Sequence, residues 1–305
     1  MDKKNEILRI FSIRLRKLFF ELNLNFYNLQ EVRLRINRPL LLVYDNEEYF
    51  LSEDSSLTKY AEKGFIVSGK EIRETMEYVS NYSLYAYEDE LRQGFITIQG
   101  GHRIGIAGKV ILEKGSIKTI KYISFVNIRF AHEVKGCSIP ILPYIKKGQD
   151  IYHTLIISPP RCGKTTLLRD IILHLSDEFN IGVVDERSEI GACYLGIPQN
   201  DLGIRTDILD CCPKTEGMML LIRSMSPDII AVDEIGTTQD YQAILQALHC
   251  GCKVIATIHG DSLEDVREKP FGGIFERFII LDRMYEIGHV SGIYNESGET
   301  ICSLR

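Results

Sequence analysis

SPPRCGKTTLLRDIILHL, running from Ser158 to Leu175, holds a Gly-Lys-Thr triplet at Gly163, Lys164 and Thr165. An apolar run, HTLIIS at 153–158, precedes it. After it, Leu167, Leu168, Ile171, Ile172 and Leu175 recur at helical spacing on one face. Strand, loop and helix in that order are the setting a phosphate-binding loop requires. Backbone N–H groups at such a junction point at phosphate oxygens. Gly163 lets the backbone come close. Lys164 is a point charge for the β- and γ-phosphates. The Thr165 hydroxyl is a ligand for Mg²⁺. The candidate ATP-binding residues are therefore Ser158, Pro159, Pro160, Arg161, Cys162, Gly163, Lys164, Thr165 and Thr166. Ser158 stands where the pattern has glycine. If positive φ is needed there, serine costs about 1 kcal/mol and weakens binding, partly offset by a local side-chain hydrogen bond. Pro159 and Pro160 stiffen the loop.

Outward from this loop, short apolar runs alternate with helical patterns: IGVVD at 181–185, DIIAVD at 228–233, KVIATI at 253–258 and FIILD at 278–282. Such alternation predicts a mainly parallel sheet covered on both faces, the RecA-like P-loop form of an α/β domain. Three further motifs fall at strand ends, where ligands of open α/β sheets sit. DIIAVDEIG delivers Asp233, expected to hold Mg²⁺ through water, and Glu234, the candidate general base. VVDERSEIG places Asp185, Glu186, Arg187 and Glu189 just past another strand. Four charges there must face a polar ligand or one another; Glu186 is the second candidate base, and a helix-capping role stands beside it. ATIHG puts His259 where it would sense a γ-phosphate. Met218, Met219, Leu221, Ile222 and Met225 share a helix read as core.

Residues 1–135 read as a smaller α+β domain. Glu31 to Tyr44 and Lys121 to Ala131 read as strands, Lys70 to Val79 as a helix, and Gly94 to Val110 as a hairpin about Gly100-Gly101. Residues 136–150, with Gly136, Pro140, Pro143 and Gly148, read as a linker. Residues 151–305 form the ATPase domain. Ile7 to Leu22 reads as one amphipathic helix with a basic face, packed on its own domain, with a membrane or partner contact as the other reading.

The chain has 305 residues, 45% apolar and 26% charged, with a net charge of −6. No global basic field draws it to nucleic acid. The eight cysteines form no C-x-x-C pair, and all are read as reduced thiols of a cytosolic protein. Charges interrupt the first twenty residues, so no signal-peptide core is expected.

The order of P-loop, acidic box, Asp-Glu strand end and histidine resembles the secretion ATPase superfamily of type II and type IV systems. A narrower resemblance is to the stage III sporulation protein AA family. VVDERSEI, GIPQNDLGIRTDILDCCPKTEGMMLLIRSMSPDIIAVDEIG and TIHG carry it, with VRLRINRPL, NYSLYAYEDELRQGFIT and GGHRIGIAGKV in the N-terminal part. The resemblance implies a homo-oligomeric ring, a hexamer, with ATP at subunit interfaces. It implies membrane-protein partners in a sporulation channel, at the mother-cell side of the inner membrane, and no nucleic acid. The four-cysteine insert of some relatives is missing, so no zinc is expected. By analogy, Arg103 and Arg129, or Arg205 and Arg223, would act in trans on the γ-phosphate, each also readable as a plain salt-bridge residue. Besides a motor, two other functions stay open: an ATP-gated scaffold with little turnover, and a nucleic-acid-binding ATPase.

Overall fold

The alternation in EVRLRINRPLLLVY becomes two adjacent antiparallel strands, and the helical pattern from Lys70 becomes a helix. In the computed structural model these belong to the first of two units, Met1–His132 and Glu133–Arg305. Residues 3–83, 87–267, 270–284 and 287–303 are described; residues 84–86 of NYSLYAYEDELRQGFIT lie outside them.

The first unit carries helices α1 (Lys3–Leu8), α2 (Ile13–Glu21), α3 (Gly69–Val79) and α4 (Glu88–Gln93). Its strands are β1 (Leu29–Arg35), β2 (Leu41–Tyr44), β3 (Glu47–Leu51), β4 (Leu57–Thr58), β5 (Phe95–Ile98), β6 (His102–Glu113) and β7 (Ser116–Arg129). They pair antiparallel in the order β4-β3-β2-β1-β7-β6-β5. Gly100 and Gly101 both take positive φ, 87° and 74°, between β5 and β6, which glycine allows without a Cβ clash. Ser68 and Glu71 form a capping box at the start of α3.

The single helix expected from Ile7 to Leu22 is two helices. Ser12 Oγ accepts the Leu15 N–H at 3.4 Å and opens α2. The Arg16 guanidinium donates to the carbonyls of Leu8 and Phe11 at 3.0 and 3.2 Å, which satisfies the open end of α1. Phe11 and Phe19 stack at 4.4 Å inside the bend. The apolar face packs on its own unit.

In the second unit, residues 136–150 hold a one-turn helix, α5 (Leu142–Ile145), and enter the hairpin β8 (Lys146–Lys147) and β9 (Asp150–Ile151). Ile141, Ile145 and Ile151 are fully buried there. Then follow β10 (Thr154–Ser158), α6 (Lys164–Leu175), β11 (Ile181–Asp185), β12 (Thr206–Asp210), α7 (Lys214–Ser224), β13 (Ile229–Val232), α8 (Thr238–His249), β14 (Lys253–His259), α9 (Glu264–Arg267), β15 (Arg277–Asp282), β16 (His289–Asn295) and β17 (Thr300–Cys302). The eight-stranded sheet runs β12-β11-β13-β14-β10-β15-β16-β17. It is parallel from β12 to β15 and antiparallel beyond.

Successive residues of β10 face opposite ways. Ile156 joins a cluster with Leu168, Ile172 and Val183, whereas Leu155 and Ile157 join Met218, Ile244 and Phe278. Both faces are thus covered, as the apolar runs require. Along α7, Met218 and Leu221 are buried, Met219 and Ile222 half-buried, and Met225 exposed, so Met225 is not the core residue expected. Among the described residues no helix is long and apolar enough to cross a membrane.

Candidate active site

Every strand that bears a motif ends on one edge of the parallel sheet. Ser158, the last residue of β10, pairs in register with His259, the last of β14. Asp233 and Glu234 follow β13, and Asp185 closes β11. The expected strain at Ser158 is absent. That residue lies in the strand, fully buried, and its Oγ donates to the Pro159 carbonyl at 2.9 Å. The left-handed residues of the loop are Arg161 and Gly163, φ 61° and 86°. A Cβ on Gly163 would stand 3.2 Å from Gly288 Cα, a tight approach, so the positive φ and the close backbone both favour glycine there.

The Thr165 hydroxyl donates to Asp233 Oδ2 at 2.6 Å. Thr257 donates to the other carboxylate oxygen and accepts the Glu234 N–H at 2.8 Å. Fully buried Thr257 therefore fixes Asp233 and the backbone of Glu234, a non-glycine residue at φ 52°. A hydroxyl and a carboxylate oxygen set side by side are the hard oxygen donors that Mg²⁺ takes.

Lys164 Nζ lies 2.9 Å from Glu234 Oε1. His259 Nε2 is 3.0 Å from the same oxygen, and Arg187 Nη1 donates to Glu234 Oε2 at 2.7 Å. Burial pushes the Glu234 carboxyl up. The Lys164 hydrogen bond and charge, then Arg187 and His259, outweigh it and hold Glu234 below the usual carboxylate range.

The acidic box divides its labour. Buried Asp185 accepts the N–H groups of Glu189, Ile190 and Gly191 at 2.9, 2.9 and 2.8 Å. It organises the loop after β11 rather than capping a helix. Burial pushes its carboxyl up to about 6 against these donors. Arg169, on α6, donates to the carbonyls of Ile190 and Glu189 at 2.9 and 2.8 Å. The loop is thereby tied to the helix that starts at Lys164. Glu186 is engaged by Lys214 at the start of α7.

Of the four candidate arginines, Arg205 precedes β12 and Arg223 lies in the last turn of α7. Both are exposed, at the sheet edge opposite Lys164. Arg103 and Arg129 are in the first unit, directly opposed across β6 and β7. Arg103 stacks on Phe95 at 3.5 Å, and Arg129 lies 3.9 Å from Glu31.

Sequence reasoning missed three contributors. Thr257 sits two residues before His259 and so on the same strand face, a signal open to reading. Arg187 was noted only as one charge of four. Arg283 had no signal: its Nε donates to Cys162 Sγ at 3.2 Å and its Nη2 to the Pro160 carbonyl, clamping the loop from beyond β15.

Comparison with known proteins gives a consistent picture. The family model described as "Sporulation stage III, protein AA" matches residues 1–301. Stage III sporulation protein AA of Bacillus subtilis (strain 168) is 42% identical over 285 residues, covering 90% of this chain and 89% of that protein. Among solved structures, the pilus retraction motor PilT with bound ADP aligns with a TM-score of 0.58 at 13% identity, over 90% of this chain and 77% of that one. The ATPase DotB of Legionella pneumophila aligns with a TM-score of 0.52 at 15% identity, over 88% and 74%. At these identities the structural matches establish the fold.

Proposed function

The chain belongs to the stage III sporulation protein AA family, and from that premise we propose that it is a magnesium-dependent ATPase. Its ring of identical subunits, a hexamer, energises a secretion-like channel during endospore formation. It works in the cytoplasm on membrane proteins of that channel, at the mother-cell side of the inner membrane. The observation that carries the reading is the 2.6 Å contact between Thr165 and Asp233, which gathers a metal-binding pair at a P-loop helix start.

Thr165 and Asp233 would hold Mg²⁺, whose charge neutralises phosphate oxygens. Residues 158–166 bind the triphosphate through backbone N–H groups and Lys164. When Lys164 turns to phosphate it leaves Glu234, and loss of that cation raises the Glu234 basicity. Glu234 then orients and deprotonates the attacking water, an effect worth roughly 10²- to 10⁴-fold. His259, bonded to the same carboxylate, reports the change along β14. Glu234 is favoured over Glu186 as base because it stands beside Asp233 and 2.9 Å from the P-loop Lys164, whereas Glu186 lies against Lys214 at the start of α7. Arginines from a neighbouring subunit, Arg103 or Arg129 among them, would add charge at the γ-phosphate. An unstrained Ser158 removes the motive for a scaffold that binds without turnover.

The test is phosphate release with Mg·ATP, alongside particle mass with and without it. Lys164→Ala is expected to abolish nucleotide binding and assembly. Glu234→Gln is expected to bind, assemble and fail to turn over. A Glu234→Gln chain that turns over at the parental rate removes Glu234 from the role. One that supports sporulation without turnover makes the chain a scaffold.

A further inference from the structure

We propose that the outer surface of α1 and α2 is a binding site for anionic phospholipid. Between residues 3 and 20 the chain has six basic residues and one acidic one, although its net charge is −6. Most of these cations are engaged locally. Lys3 pairs with Glu6 at 3.1 Å and Arg14 with Glu53 at 3.2 Å. Arg16 serves the carbonyls at the bend, and Lys4 lies 5.0 Å over the Phe20 ring. Arg9 and Lys17 are exposed, and neither has an ion pair with a described carboxylate.

These two cations flank an open groove of about 500 Å³, lined also by Leu8, Ile13, Arg16 and Phe20. Helix α2 already buries Leu15, Leu18 and Phe19 in its own unit, yet Ile13 is 67% and Phe20 63% exposed on the other side. A solvent face of large apolar side chains between Lys and Arg is the pattern of a helix that lies in a membrane interface. Long cationic stems run along apolar matter and keep their heads in the polar layer. This juxtaposition matches a phospholipid, with the cations meeting the phosphate and Ile13 and Phe20 meeting the acyl region. The surface is preformed, because the Arg16 bonds and the Phe11–Phe19 stack fix the bend.

The test uses the full chain and vesicles of phosphatidylglycerol with phosphatidylcholine, against phosphatidylcholine alone. The parent is expected to sediment with the anionic vesicles, and less so as salt rises. Arg9→Gln with Lys17→Gln should weaken this by on the order of thirtyfold. Ile13→Ser with Phe20→Ser should weaken it while leaving the salt dependence. All four side chains are exposed, and unchanged thermal unfolding midpoints confirm intact variants. The chain has no tryptophan, so Phe20→Trp is a sole reporter whose emission should shift to the blue on anionic vesicles. Equal binding to both vesicle types, or no loss in the Gln pair, overturns the proposal. Binding of a polyglutamate peptide but of neither vesicle also overturns it and reassigns the surface to an acidic protein segment.

Discussion

Lys164 Nζ and Glu234 Oε1 stand 2.9 Å apart, so the residue read as phosphate ligand and the residue read as base hold each other. A triphosphate must compete with Glu234 for Lys164. Glu234→Gln is therefore expected to bind Mg·ATP at least as tightly as the parent while turnover falls roughly 10²- to 10⁴-fold. A fluorescent-nucleotide titration beside a phosphate-release assay separates the two effects. Weaker binding in the variant would show that Glu234 does not compete for the lysine.

Thr257 carries two jobs on one hydroxyl, donating to Asp233 and accepting the Glu234 N–H. Valine has nearly the same shape and neither function. Thr257→Val should cost about 1 kcal/mol of stability, because Asp233 loses a buried donor and the Glu234 N–H keeps only its 3.1 Å contact to Asp233 Oδ1. It should also lower turnover, since Asp233 is no longer fixed. Thermal unfolding and steady-state kinetics check both; an unchanged kcat would confine Thr257 to structure.

Arg283 pins the phosphate loop through Pro160 and Cys162, on either side of Arg161, whose φ is left-handed. Arg283→Ala loses both contacts, and the charge-assisted bond to the Pro160 carbonyl alone, worth about 1.5 kcal/mol, should weaken Mg·ATP binding about tenfold. Saturated turnover should stay near the parent, because the acids are untouched. A split between KM and kcat is the readout, and an equal fall in kcat would place Arg283 closer to the chemistry.

The parts legible in the sequence are those set by local pattern. Near-continuous apolar runs placed β10, β11, β13, β14 and β15, because strands buried on both faces need them. Edge strand β12, TDILD at 206–210, has no fully buried residue and so left no such run. The Ser158 expectation failed because motif spacing does not say where positive φ falls; the structure puts it on Arg161 and Gly163. The break between α1 and α2 depends on Arg16 reaching back to carbonyls, and helical periodicity alone runs through it. Arg283 reaches its loop from more than a hundred residues away, a distance over which spacing carries no information.

Glu6 tests how α1 is held. Its Oε1 lies 2.7 Å from His102 Nε2, a side chain only 1% exposed. His102 Nδ1 accepts the Ala131 N–H at 3.1 Å, so the ring proton sits on Nε2, beside the carboxylate. Burial keeps His102 below its usual range, while the His102 hydrogen bond, and then Lys3, hold Glu6 down to about 2. A depressed carboxylate pKa gives stability that is complete above the ordinary value of 4.5 and lost as pH falls toward 2. Glu6→Gln should cost on the order of 1–3 kcal/mol at pH 7, less than the full linkage value because the carboxylate is partly screened by solvent, and the gap from the parent should close between pH 4.5 and 2. Denaturant unfolding of both proteins at pH 7, 4 and 3 measures this. A gap that stays constant over the range would assign the loss to packing of α1 instead of to the charge on Glu6.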